Sequence, residues 1–183
     1  MQHPFERISP SWRNKLFWIF LAFTLALTVL MNLVGAPLIN STAPSGIVSF
    51  ELAGGVQLAS EIIASWDARA QRYAAFGLGL DYVYMLAYAS TISLACLWAG
   101  QVLRSSGWPL SGAARPLAWG QWLAALLDAL ENLSLAIVLL ESVRSPWPEL
   151  ARLCAVLKFA LIFLGLVYVF LALAVSLLRW LSR

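Results

Sequence analysis

Charged side chains are scarce in this chain. Only 11% of its 183 residues are Asp, Glu, Lys or Arg, against 61% hydrophobic. That balance excludes a disordered segment and an ordinary soluble domain. Histidine is nearly absent: His3 stands alone, in a lead read as a mobile tail, so a histidine metal site or histidine-dependent triad is excluded. Cysteine is limited to Cys96 and Cys154, with no Cys-x-x-Cys, which removes a thiol oxidase. The two fall near opposite ends of different spans, too far apart for the ~4.4–6.8 Å Cα separation of a disulfide, and read as small buried hydrophobes. No basic run interleaves with aromatics, so no nucleic acid is expected as a partner. No phosphate loop, nucleophile motif or cofactor fingerprint occurs, and no cofactor is expected.

What the chain has instead is four long apolar runs, at about 16–38, 74–100, 116–140 and 150–178. Each reaches the roughly 20 residues that cross a ~30 Å hydrocarbon core. The first exceeds a signal-peptide core, and its best small-residue site, Val34-Gly35-Ala36, is followed by Pro37, so it reads as a retained span. The only substantial connection is 39–73. In it, Ile47-Val48-Ser49-Phe50-Glu51-Leu52 alternates and reads as extended along the membrane surface, and Val56 to Trp66 as a short interfacial helix. Asp67 or Ser65 can cap the helix that follows. The expectation is one domain over 1–183: an all-α, antiparallel four-helix transmembrane bundle with a periplasmic loop and a short interfacial helix.

Four spans place both termini on one side. That side collects Arg7, Arg13, Lys15, Arg104, Arg115, Arg179 and Arg183, while the other holds Arg69, Arg72, Arg144 and Arg152. The positive-inside rule then predicts cytoplasmic termini. Trp12, Trp108 and Trp180 fit one aromatic belt, Trp66 and Trp147 the other.

The third run is apolar enough to span, yet carries Asp128, Glu131 and Asn132 near its middle. A charge at the centre of a spanning helix costs about 2.5–3.5 kcal/mol on insertion scales. Offsets of three and four put the three side chains on one face, with Gln121 two turns earlier. Asn32 in the first span, Asp81 in the second and Lys158 in the fourth come to similar depth, roughly 9–20 Å inside the outer boundary at ~1.5 Å per residue. Tyr84 and Tyr88 continue the stripe that begins at Asp81. Glu51 joins the group if its loop folds over the bundle mouth. Lys158 is expected within ion-pair distance of Asp81, Asp128 or Glu131, because an unpaired ammonium in lipid is expensive.

Three carboxylates against one ammonium cannot all be ionised in a dry interior. Protons, a bound cation, water, or Arg69 and Arg72 reaching inward must make up the balance. Carboxylate and amide oxygens suit a hard cation, but no histidine and no ligand spacing support a metal, and none is expected. The leading reading is a pocket in the outer half of the bundle that binds a lipid or small molecule. Asn32, Glu51, Asp81, Tyr84, Tyr88, Asp128, Glu131, Asn132 and Lys158 are its candidate residues. A second reading is an accessory or scaffolding subunit, with a membrane-protein partner or a second copy, in which the same groups only hold helices together at about 0.6 kcal/mol each. A third is a membrane-embedded enzyme using paired carboxyls for acid–base work on an apolar substrate, its catalytic residues unknown.

From Ser45 onward the runs SGIVSFELAGG, EIIASWDARAQRYAAF and LDYVYMLAYA, followed later by LLDALENLSL, resemble a group of uncharacterised bacterial four-span membrane proteins. The similarity covers most of the chain, and its motifs are short. It implies a bacterial inner-membrane protein in which Glu51, Trp66, Asp81, Asp128, Glu131 and Asn132 match the pattern. It implies no activity.

Overall fold

The computed structural model describes residues 2–181. Among them there are helices and no strands. The elements are α1 (Pro10–Gly35), α2 (Ile47–Glu51), α3 (Val56–Ser65), α4 (Ala68–Ser105), α5 (Ala114–Leu140) and α6 (Trp147–Leu181), with short 3-10 turns before α1, after it and before α5. Four of these, α1, α4, α5 and α6, are long and apolar enough to cross a membrane, as expected of a multi-pass membrane protein.

Cross-helix contacts set the directions. Thr24 meets Thr91 while Thr28 meets Tyr84, so α1 and α4 run opposite ways. Asp81 meets Asn132 and Ser93 meets Ala118, so α4 and α5 do too. Gln121 reaches Leu161 where Asp128 reaches Lys158, which makes α5 and α6 antiparallel. The bundle is thus antiparallel in chain order, with α4 at its centre: 72% of its most apolar stretch is buried, against 11% for α1. The cause is composition. The buried face of α4 carries Ala74, Gly77, Ala87, Ala89, Ser90, Ser93 and Ala99, small residues that let backbones approach where lipid offers no hydrophobic drive. At Gly165 of α6 this is explicit, because a Cβ there would collide with the Gln121 amide.

Two apolar clusters bracket the polar middle. One, near the chain ends, includes Ile92, Leu97, Leu103, Tyr168 and Val175. The other joins Leu38, Phe50, Ile62, Trp66, Leu78 and Leu135, and so fastens the 36–67 segment onto the bundle mouth. Phe50 is fully buried there, worth about 1.5–3 kcal/mol. Trp66 Nε1–H donates to the Leu38 carbonyl at 2.9 Å. Asp67 caps α4 as expected, accepting from the Ala70 amide at 2.7 Å.

Two expectations are corrected. Residues 47–51 are helical, not extended. An extended strand needs a ladder partner for its backbone groups, and the described residues offer none, whereas the turn at Gly46 (φ 58°) starts a helix that satisfies them internally. The N-terminal lead is not a loose tail either. His3 is buried with its ring edge-on to Trp119 at 5.0 Å, and Glu6 is salt-bridged to Arg115 at 2.9 Å. Burial pushes the His3 imidazole below its usual range, so this docking favours the neutral ring. Arg183, counted above for orientation, lies outside the described residues.

Candidate functional site

Between the two apolar clusters sits a buried ion network. Lys158 of α6, 4% exposed, is at its centre. Its Nζ donates to Asp128 Oδ1 at 2.6 Å and lies 2.8 Å from Glu131 Oε2 and 3.7 Å from Glu51 Oε2. Neither glutamate oxygen is aligned as a hydrogen-bond acceptor, so those two contacts are ionic rather than directional. Three elements meet here. The spacing on α5 puts Asp128 and Glu131 on one face, α6 supplies the cation, and α2 lowers Glu51 from above. Lys158 therefore pairs with Asp128 and Glu131 as expected, while Asp81 is not among its partners.

Asp128 also accepts from Tyr88. The phenol O–H donates to Asp128 Oδ2 at 2.9 Å, so the carboxylate is held at both oxygens. Tyr84 packs edge-on to Tyr88 with ring centres 5.5 Å apart and accepts from the Thr28 hydroxyl at 3.2 Å. Asp81 stands apart, one helix away. Its only hydrogen-bond partner among the described residues is Asn132, whose amide donates to Oδ2 at 2.6 Å. Glu131 Oε1 is buried and has no aligned hydrogen-bond partner among the described residues. Burial raises the Glu51 carboxyl above the ordinary carboxylate range, against the opposing pull of Lys158.

Seven of the nine candidates, Glu51, Asp81, Tyr88, Asp128, Glu131, Asn132 and Lys158, gather on the inner faces of α2, α4, α5 and α6, and Tyr84 lies beside them. Asn32 does not join them. It is exposed on α1, and its amide turns back to the Thr28 carbonyl at 2.8 Å, a local bond that satisfies the group without a neighbour. Arg69 and Arg72 stay outside. Arg69 lies over the Tyr73 ring, and Arg72 bonds the Ala68 carbonyl of its own helix. Reading the sequence did not single out Thr24 and Thr91, whose hydroxyls meet at 3.0 Å. Their signal was present as the four-residue step from Thr24 to Thr28 and the stripe Tyr84, Tyr88, Thr91.

A narrow crevice leads to the network from the loop side. Met31, Val34 and Gly35 of α1 form one wall, Tyr73 and Gly77 of α4 the other, and Glu51, Asp81 and Asn132 lie at its base. Its volume of about 30 Å³ admits a water or two, or a group the size of an ammonium. A whole ligand of drug size would need about 300 Å³ or more, which this crevice does not offer. The charge balance is lopsided. Among the described residues, Glu51, Asp128 and Glu131 share the single ammonium of Lys158 and Asp81 lies nearby with no cation of its own, so a positive group, a proton or water has to complete the site.

No protein-family model, curated protein or solved structure matches this chain. Function rests on the site alone.

Proposed function

We propose that this protein is a bacterial inner-membrane protein with cytoplasmic termini that takes the cationic end of a small molecule or lipid into its carboxylate network. The observation that carries the proposal is the excess of carboxyls, with Asp81 at the base of a crevice of ammonium size. Asp81 receives the cationic group, Asn132 orients that carboxylate, and Glu51 adds a second carboxyl at the crevice base. Asp128 and Glu131 accept or return protons, with Tyr88 and Lys158 fixing their position. The apolar remainder of the ligand stays between α1 and the bilayer, where α1 is loosely covered. A cation enters because it relieves carboxylate repulsion, and a neutral isostere gains nothing comparable.

Photolabelling tests this with a diazirine-bearing alkylamine and the matching alcohol. The amine labels α1 or α4 around the crevice, and the alcohol labels the bundle without preference. Asp81→Asn abolishes the amine's preference while leaving the protein folded. Equal labelling by both compounds, or an unchanged pattern in Asp81→Asn, refutes the reading.

One observation favours a second reading. The three contacts of Lys158 tie α2, α5 and α6 together, as a fastener in an accessory subunit would. That role would belong to a protein whose partner is another membrane protein or a second copy. It leaves the crevice at Asp81 without a use.

A further inference from the structure

A second, larger cavity lies at the opposite end of the bundle, beside the chain's N-terminal end. It is a groove of about 410 Å³ between α1, α4 and α6. Its walls are apolar, with Leu94, Leu97, Val169 and Leu173 along its length. Its mouth is polar, formed by Arg13, Asn14 and Gln101. Trp18 and Trp98 also line it, both about half exposed, as indoles at a membrane–water boundary are. The groove exists because α1 packs chiefly on α4 and leaves α6 uncovered beside it.

From this geometry we infer that the groove holds one acyl chain of an anionic phospholipid, with the phosphate at Arg13. Charge complementarity carries the choice of occupant. Arg13 Nε is buried and has no hydrogen-bond partner among the described residues. No carboxylate among the described residues pairs with Arg13, and the nearest acid in sequence, Glu6, is engaged by Arg115 and the His3 amide. Arg7, Lys15 and Arg104 add positive charge at the same end. A phosphate oxygen supplies the acceptor that the guanidinium lacks, and Asn14 and Gln101 can donate to the glycerol esters. The volume argues against a partner helix. A helix about 10 Å across would fill it within roughly one turn, whereas a single flexible chain follows its length. This inference does not depend on the carboxylate network, which lies near the other end of α4.

The test uses the purified full-length chain in mild detergent, mixed with equal amounts of palmitoyl-oleoyl phosphatidylglycerol and phosphatidylcholine, and read by native mass spectrometry. The wild type is expected to retain phosphatidylglycerol in preference. Arg13→Gln lowers that preference by roughly fivefold, the effect of one basic residue at a membrane surface. Ala95→Phe, which puts bulk on the groove wall, lowers retention of both lipids with the melting temperature kept. Because Arg13 is only part-buried at a helix end, Arg13→Gln decides the question even if Ala95→Phe misfolds. Equal retention of both lipids by the wild type, or an unchanged preference in Arg13→Gln, overturns the inference. So does a dimer that Ala95→Phe dissolves, since a second copy would then occupy the groove.

Discussion

Replacing Lys158 with methionine keeps the length and most of the volume of the side chain and removes only its ammonium. In the native bundle that ammonium faces carboxylates at 2.6, 2.8 and 3.7 Å, all three residues buried. Removing one partner of a buried pair typically costs about 3–5 kcal/mol, because the remaining charge is stranded in a medium that solvates it poorly. The cost here belongs to the upper part of that range, since Asp128 and Glu131 both lose their cation. At about 2–4 °C per kcal/mol for a chain of this size, a cost of about 4–5 kcal/mol lowers the melting temperature in mild detergent by roughly 8–20 °C. The triple variant Lys158→Met, Asp128→Asn, Glu131→Gln carries no charge at these positions and recovers most of the loss. A Lys158→Met protein that melts within a degree or two of the wild type would refute the reasoning. It would mean that the carboxyls are already neutral or that water reaches them freely.

Three further expectations follow from particular residues. The Glu51 carboxyl titrates above its unfolded value, so its protonated form is the one the folded state favours. Its stabilising contribution is complete below about pH 4.5 and is lost as pH rises through the raised value, with Lys158, Asp128, Glu131 and Asp81 nearby. Melting curves from pH 4 to 9 should therefore move in favour of Glu51→Gln relative to wild type as pH rises, and a constant difference would contradict this. Gly165→Ala drives a methyl into the Gln121 amide and should cost about 1–3 kcal/mol in thermal unfolding, with Gln121→Ala restoring part of it. Reporter fusions should show Ser65 on the periplasmic side and the C-terminus in the cytoplasm, and periplasmic activity from the C-terminal fusion would reverse the orientation.

The spans were legible because twenty apolar residues in a row have few alternatives, and α4, α5 and α6 enclose the second, third and fourth runs. Their extra length lies at the ends, where helix continues into the boundary region, as at Ala68 and Ser105. The network was legible at Asp128, Glu131 and Lys158 because expensive groups at one depth must find each other. Asn32 has the right depth but was misplaced, because depth says nothing about rotation and its amide finds a partner on its own helix, the Thr28 carbonyl. Ile47 to Leu52 alternates over too few residues to separate strand from helix, and only the burial of Phe50 and Glu51 shows how it folds. The size of the site was beyond the sequence altogether. Whether four polar faces meet around a pocket or around a lysine depends on fractions of an ångström in packing, set by residues such as Gly165. The docking of His3 on Trp119 joins residues 116 positions apart, with no periodicity to announce it.

The claim that the carboxylates form a working site rather than a fastener is tested most directly by the double variant Asp128→Asn, Glu131→Gln. The amides keep the shape of both side chains, and at position 128 an acceptor for Tyr88, while removing ionisable protons and charge. The account predicts a bundle that still folds but melts below the wild type, because Lys158 is left with Glu51 at 3.7 Å as its remaining ion-pair partner among the described residues, and adding Lys158→Met recovers most of that loss. It also predicts that the alkylamine label at the crevice is lost. Full, amine-specific labelling in a folded double variant would contradict the account and leave these residues as helix fasteners.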